Sequence, residues 1–350
     1  MRAMIRFTPV LVIFGFLYSQ TYVGSSACST CHGTTDVTNA GYDIHATFLE
    51  SGHPYKLNPV NGAAPTYPWS IVPNPPANVD RGDGTDTTFT WDDITYVIGG
   101  YGWKARFLDS KGYIITGANV QYNLETEGWS GYHSTEAIGT KKYNCGRCHT
   151  TGWVDSDDDV ATNNQDGLEG LVGTFSEPGV QCEACHGPGS DHVAAPSSTN
   201  ITKDVSSDLC GNCHYRDAQN RIEYKGGFIR HHEQYDEFLH SPHSAALTCN
   251  TCHNSHASTV YDDQALGDGV KMECATCHSS QATNMNHNPA ATCVDCHMPE
   301  ASKSAVSENE YNGDIKTHIF KINTEPVPKD SMVYYDDTAG KYFVCLDEND

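Results

Sequence analysis

Basic residues are short in this chain. Lys and Arg number 21 against 44 Asp and Glu in 350 residues, a formal net charge of -23. Nucleic acid is thereby excluded as a partner, because binding its phosphates needs a basic footprint. Methionine is also scarce. Beyond the first 20 residues only Met272, Met285, Met298 and Met332 remain. Long apolar runs are missing too: "FTPVLVIFGFLY", near the N-terminus, has twelve residues, includes Pro9 and is too short to span a bilayer. With hydrophobic residues at 38%, there is little material for a conventional core.

Cysteine is what the chain has in excess. There are 15, and all but Cys345 fall into seven copies of C-x-x-C-H. These are Cys28-Cys31-His32, Cys145-Cys148-His149, Cys182-Cys185-His186, Cys210-Cys213-His214, Cys249-Cys252-His253, Cys274-Cys277-His278 and Cys293-Cys296-His297. They are numbered here as sites 1 to 7. A lone C-x-x-C is ambiguous between zinc and redox dithiols. The invariant trailing histidine is not. Two thiols three positions apart can form thioethers to the two vinyl groups of one haem, and the next residue then places its imidazole beneath the iron. Zinc has no need of a histidine at that fixed place. The expected cofactor is therefore seven haem c, with the fourteen motif cysteines as attachment points and the seven motif histidines as proximal ligands.

The N-terminus agrees with this chemistry. "MRAMIR" is a basic n-region and the twelve-residue run has the length of a signal-peptide h-region. Residues 1–20 are predicted to be a signal peptide, cleaved between Ser19 and Val23. "GSSAC" lacks the apolar residue of a lipoprotein signal, so the expectation is export without a lipid, to the periplasm or beyond the cell. Loss of Arg2 and Arg6 with the signal takes the charge to about -25. Such a field suits solubility, and equally the steering of a basic redox partner. The predicted partners are redox proteins, basic or membrane-bound, with self-assembly as a further class.

The motif spacing sets the organisation. Residues 21–60 hold the first haem segment, and 141–300 a six-haem array. Between them, 61–140 is a Pro/Gly-rich loop followed by a β-rich, haem-free insertion. Within it, "TTFTWDDITYVIGG" and "WKARFLDSKGYIITG" are rich in β-branched and aromatic residues and enclose the turn "DSKG". The fold predicted is mainly α-helix and coil wrapped around a covalent haem array. Residues 155–170, "DSDDDVATNNQDGLEG", alternate Asp155, Asp157 and Asp159 like the start of a calcium loop. Val160 stands where that loop needs glycine and Asp166 where it needs glutamate, so a solvated loop is the stronger reading and calcium the weaker.

Seven irons closed on both faces need seven distal ligands. Eleven histidines lie outside the motifs, so bis-histidine ligation is the default, with lower potentials than His/Met. His192 follows site 3 through the flexible "GPGSD" and is predicted to cap a neighbouring haem. His256, three residues after proximal His253, lets two imidazoles serve two irons. His232 and His243 are eleven residues apart, about three helical turns, on one face. His287 completes this set. His45, His133, His231 and His240 are read as surface residues.

"CEACHGPGSDH", "HHEQYDEFLHSPHSAALTCNTCHNSH", "CVDCHMPEASKSA" and "GDIKTHIFKIN" resemble segments of bacterial multihaem c-type cytochromes. That group includes the tetrahaem electron acceptor of hydroxylamine oxidoreductase and, more distantly, ammonia-forming nitrite reductase. The resemblance covers 21–60 and roughly 141–323. It implies distal roles for His53, in "SGHPYKL", and for His318, in "THIFKIN". Similar cytochromes continue past such a segment to another haem motif, which implies that the tail 301–350, with its unpartnered Cys345, is truncated or has lost a haem. Two departures weaken an enzymatic reading: no motif carries the lysine of the nitrite reductases, and no eighth haem motif is present. The expected function is electron transfer. The alternatives are an oxidoreductase acting on a small nitrogen or sulfur compound at one open haem, and a subunit of an extracellular cytochrome filament.

Overall fold

The computed structural model describes residues 20–33, 40–156, 164–216, 221–261, 268–284, 290–321 and 331–345. Most of the predicted signal peptide, Asp157, Asp159, Val160 and His287 lie outside them. The motifs sit on single helical turns such as Cys182–His186, Cys249–Cys252 and Cys293–His297. Thr248 and Thr292 open two of these turns with capping boxes whose acceptors, Thr251 and Asp295, lie inside the C-x-x-C itself. Gly187, at φ 70°, stops the site 3 helix immediately after His186.

The mainly helical expectation is met only in part. The longest described helix is the eight-residue Ser25–His32, and strands form two five-stranded sheets. One helical turn is enough to set two cysteines and a histidine against a haem, so the chain has no need of longer helices there.

The first sheet runs in the order Leu57–Pro59, Ile94–Gly99, Lys104–Asp109, Gly117–Asn123, Gly128–Tyr132, all antiparallel. The "DSKG" turn closes where Asp109 Oδ1 accepts the N–H groups of Lys111 and Tyr113, and Gly112 takes φ 84°. Val97, Ala105, Phe107 and Val120 are wholly buried on one side. Leu57, Leu108, Ile114, Tyr143 and Leu171 form a second cluster. Each large apolar side chain buried this way contributes about 1.5–3 kcal/mol. The sheet is tied to the C-terminal part of the chain, where Trp103 Nε1 donates to Asp314 O at 3.0 Å and Lys104 Nζ donates to Ser304 O.

The second sheet was not foreseen. Its order is Ser302–Lys303, Phe228–Arg230, Glu223–Lys225, Lys341–Val344, Val333–Asp336. The C-terminal hairpin docks through Arg221, which pairs with Asp336 at 2.7 Å and lies 3.8 Å above the Phe343 ring. At the other end of the chain, buried Glu183 accepts the backbone N–H groups of Val23, Gly24 and Gly189, which straps the first haem segment onto site 3. Among the described residues no helix is long and apolar enough to cross a membrane.

Candidate functional site

The histidines fall into pairs of one kind. His32 faces His192 with ring centroids 6.4 Å apart, and His186 faces His256 at 6.1 Å. His253 faces His318 at 6.0 Å, and His278 faces His243 at 6.0 Å. His214 has two neighbours at 6.4 Å, His53 and His232. Each of these contacts joins a motif histidine to one outside the motifs, which chance aromatic packing would not select. Two imidazoles that each bind a shared metal through a nitrogen about 2 Å away have centroids about 6 Å apart. Among the described residues no three His, Cys, Asp or Glu side chains converge as a bare-ion site. A donor set of two imidazoles fits an iron whose remaining four ligands come from a porphyrin.

Burial favours the neutral form of several of these rings, the form in which an imidazole can bind a metal. Burial, reinforced by the Lys56 charge, pushes His53 down to about 3 and His149 down to about 4. Burial and then the His253 ring take His318 down to about 4. Backbone carbonyls select the tautomer. Nδ1 of His149 donates to Lys56 O at 3.0 Å, Nδ1 of His186 to Thr202 O at 2.7 Å, and Nδ1 of His297 to Phe320 O at 3.2 Å. His192 Nδ1 reaches Ser197 O at 3.0 Å. In each case Nε2 is left for the metal.

Two motif histidines stand apart. Among the described residues no second imidazole faces His149 or His297 at the 6.0–6.4 Å spacing of these contacts. His232 lies close to both His214 and His149, and its ring packs 4.4 Å from that of His231. His133 is engaged by Glu136, His240 Nδ1 donates to Asp236 O at 2.7 Å, and His45 is half-buried in the helix Ile44–Leu49. His231 is not a plain surface residue: its Nδ1 is buried without a partner, and its Nε2 lies 3.3 Å from the Arg216 guanidinium.

Cysteine contacts between motifs order the sites in space. The side chains of Cys182 and Cys28, of Cys213 and Cys148, of Cys210 and Cys249, and of Cys274 and Cys293 lie side by side. Cys185 lies near Cys210 and Cys213, and Cys252 near Cys277. The sites therefore run 1–3–4–5–6–7, with site 2 attached to site 4 as a side branch.

Sequence reasoning passed over the cations around site 2. Lys104 and Arg106 alternate with buried Ala105 and Phe107, so both lie on the strand face opposite that core. Both charges reach His149, and Arg106 also acts on Cys145. Arg106 lies 3.7 Å over the Tyr132 ring and donates to Gln121 Oε1 at 2.8 Å. Alternation in "WKARF" was the available signal. In the acidic loop, Asp155 accepts from Trp153 Nε1 at 2.6 Å and Asp166 from the Tyr96 hydroxyl at 2.5 Å.

A family model described as "Cytochrome c554 and c-prime" matches residues 119–187, which contain sites 2 and 3. A multiheme cytochrome, MtrA, of Shewanella baltica (strain OS185) is 29% identical over 154 residues, 39% of this chain and 41% of that protein. The match thus spans well under half of that relative. The crystal structure of the outer cell wall cytochrome OcwA aligns with TM-score 0.53 and 18% identity, covering 92% of this chain and 82% of that one. The octaheme sulfite reductase MccA of Wolinella succinogenes aligns with TM-score 0.55 and 16% identity, covering 95% and 64%. At these identities the two structures speak to the fold alone.

Proposed function

We propose that this chain, a bacterial multihaem c-type cytochrome, relays electrons along seven haems between redox proteins outside the cytoplasm. A haem at each motif supplies an iron that exchanges one electron. The chain's own residues attach it, close its faces and set its distance from the next. The motif cysteines are the attachment points, and His32, His149, His186, His214, His253, His278 and His297 the proximal ligands. His192, His256, His318 and His243 are the distal ligands of sites 1, 3, 5 and 6. At site 4 we assign His53, which leaves His232 toward site 2. His287 is kept as the candidate for site 7.

The observation that carries this reading is the set of five motif-to-partner histidine pairs at 6.0–6.4 Å, strung along contiguous motifs. Two imidazoles on an iron change little in geometry with oxidation state, which suits repeated transfer. Axial imidazoles also set its potential. The acidic net charge would steer a basic partner toward the chain.

The test is the intact mass of the exported protein together with conduction through a protein film between electrodes. The mass should equal the cleaved chain plus seven haems, and the film should conduct far better than the haem-free chain. A lower haem count, or a film no better than the haem-free one, would sink the proposal.

A further inference from the structure

A file of aromatic rings runs from the surface to the junction of sites 4 and 2. Trp69 is 42% exposed and stacks on Tyr261, with centroids 5.7 Å and planes 23° apart. Tyr261 meets the buried ring of Tyr101 edge-on at 5.2 Å. Tyr101 stacks on Tyr55 at 5.6 Å with planes 4° apart, and Tyr67 adds a ring 5.6 Å from Tyr55. These are the separations of favourable ring pairs. The inner end lies at the haem sites. Tyr55 is two residues from His53, assigned above to site 4, and next to Lys56, whose carbonyl accepts Nδ1 of His149 at site 2. The outer end is in water: Ile71, two residues beyond Trp69, is 87% exposed.

Packing accounts for part of this arrangement. Tyr67 and Tyr101 belong to the buried cluster of the first sheet, and Tyr55 and Tyr261 pack against it. Phenylalanine would bury much the same surface with no polar group to satisfy. The file is instead built of phenols and an indole, the aromatic side chains that give up one electron most readily. Their hydroxyls are placed with care. That of Tyr55 donates to Leu49 O at 2.8 Å. That of Tyr101 donates to Glu50 O at 2.5 Å and lies 2.8 Å from the Ser258 hydroxyl.

We propose that these rings are a discharge path: when a strong radical oxidant strikes Trp69, the hole passes through Tyr261, Tyr101 and Tyr55 to a ferrous haem at the junction of sites 4 and 2. The oxidant takes one electron from the indole. Each ring is oxidised by the one before it and refilled by the next, and the iron goes from ferrous to ferric. The net change is one electron from iron to oxidant, and no bond of the protein breaks. Carbonyls and an alcohol are weak bases, which share a phenol proton without carrying it off, so the proton returns as each ring is refilled. The path protects the chain from oxidative damage. It rests on the reading that the motifs carry haem. The competing account is that the rings only hold the sheet to residues 54–56 and 258–261.

The experiment uses the fully haem-loaded protein, its haem count verified by mass. A ruthenium polypyridyl photosensitiser is attached through I71C in a C345S background, and the haems are reduced. A laser flash, with methyl viologen as quencher, generates the oxidant beside Trp69, and haem oxidation is followed by absorbance. W69F, Y261F, Y101F and Y55F should each slow it at least tenfold. Y122F, which alters a tyrosine packed on the same core but outside the file, should stay within twofold. A second measurement needs no substitution. Azide radicals generated anaerobically by radiolysis, followed by peptide mapping, should oxidise Trp69 at least fivefold more slowly in the reduced than in the oxidised protein. Trp91, which packs on Phe107 outside the file, should show no such protection. The proposal is overturned if Y101F or Y55F keeps the parent's rate, or if Y122F slows it equally. It is also overturned if Trp69 is oxidised at the same rate in both redox states. Film conduction uses none of these rings and should be unchanged in every variant, so a failure of this path is distinct from a failure of the electron relay.

Discussion

His256 faces His186 at 6.1 Å with ring planes 13° apart, while His253, three residues earlier, faces His318 at 6.0 Å. One short segment thus serves two sites, its two imidazoles directed to different partners. Replacing His256 with alanine should make one iron, that of site 3, high-spin and shift its potential. Haem attachment depends on the cysteines, so the mass of the variant should still report seven haems. An unchanged low-spin spectrum would show that His256 is not the ligand.

The branched order of the motifs makes a contrast between two double variants. C210S/C213S removes the junction site and should cut film conduction at least tenfold. C145S/C148S removes the side branch and should leave conduction within about twofold. Equal losses in the two would mean that the order of sites is wrong.

Glu183 is buried, with 3% of its surface exposed, and accepts N–H groups from Val23, Gly24 and Gly189. Truncation in E183A strands those donors and should cost about 1–3 kcal/mol. Limited proteolysis should then cut near residues 20–27 well before the rest of the chain. A variant cleaved at the same rate as the parent would show that the strap is not held there.

Gly146, the residue after the first cysteine of site 2, has no room for a side chain. A Cβ there would lie 1.9 Å from the Trp153 ring. G146A should therefore destabilise by about 1–3 kcal/mol through overpacking, read as a lowered unfolding midpoint. Adding W153L should recover part of that loss if the clash is the cause.

Some of this was legible in residues 145–149 or 293–297 taken alone. Haem attachment is chemistry within five residues, and a single helical turn satisfies it wherever the segment goes. The bis-histidine supply was likewise a matter of counting histidines against methionines. Alternation in "TYVIGG" and "WKARFLD" was visible as strand. The tail was not: "VYYD" and "KYFV" become strands through pairing with residues 223–225 and through Arg221, partners far away in the chain. Mainly helical content was overestimated because the motifs need only one turn each.

The sequence by itself determined the cofactor chemistry expected here, its attachment residues and the proximal ligands, because covalent linkage and the adjacent imidazole are properties of contiguous residues. Only the tertiary structure decided which imidazole faces which. His32 meets His192 because Glu183 clamps the N-terminal segment against site 3, a contact no local pattern encodes. It also decided that site 2 is a branch facing Lys104 and Arg106. Those residues reach it because a strand packs its apolar face into its own core and turns its charged face toward the motif, and such packing is set by contacts between segments far apart in the chain.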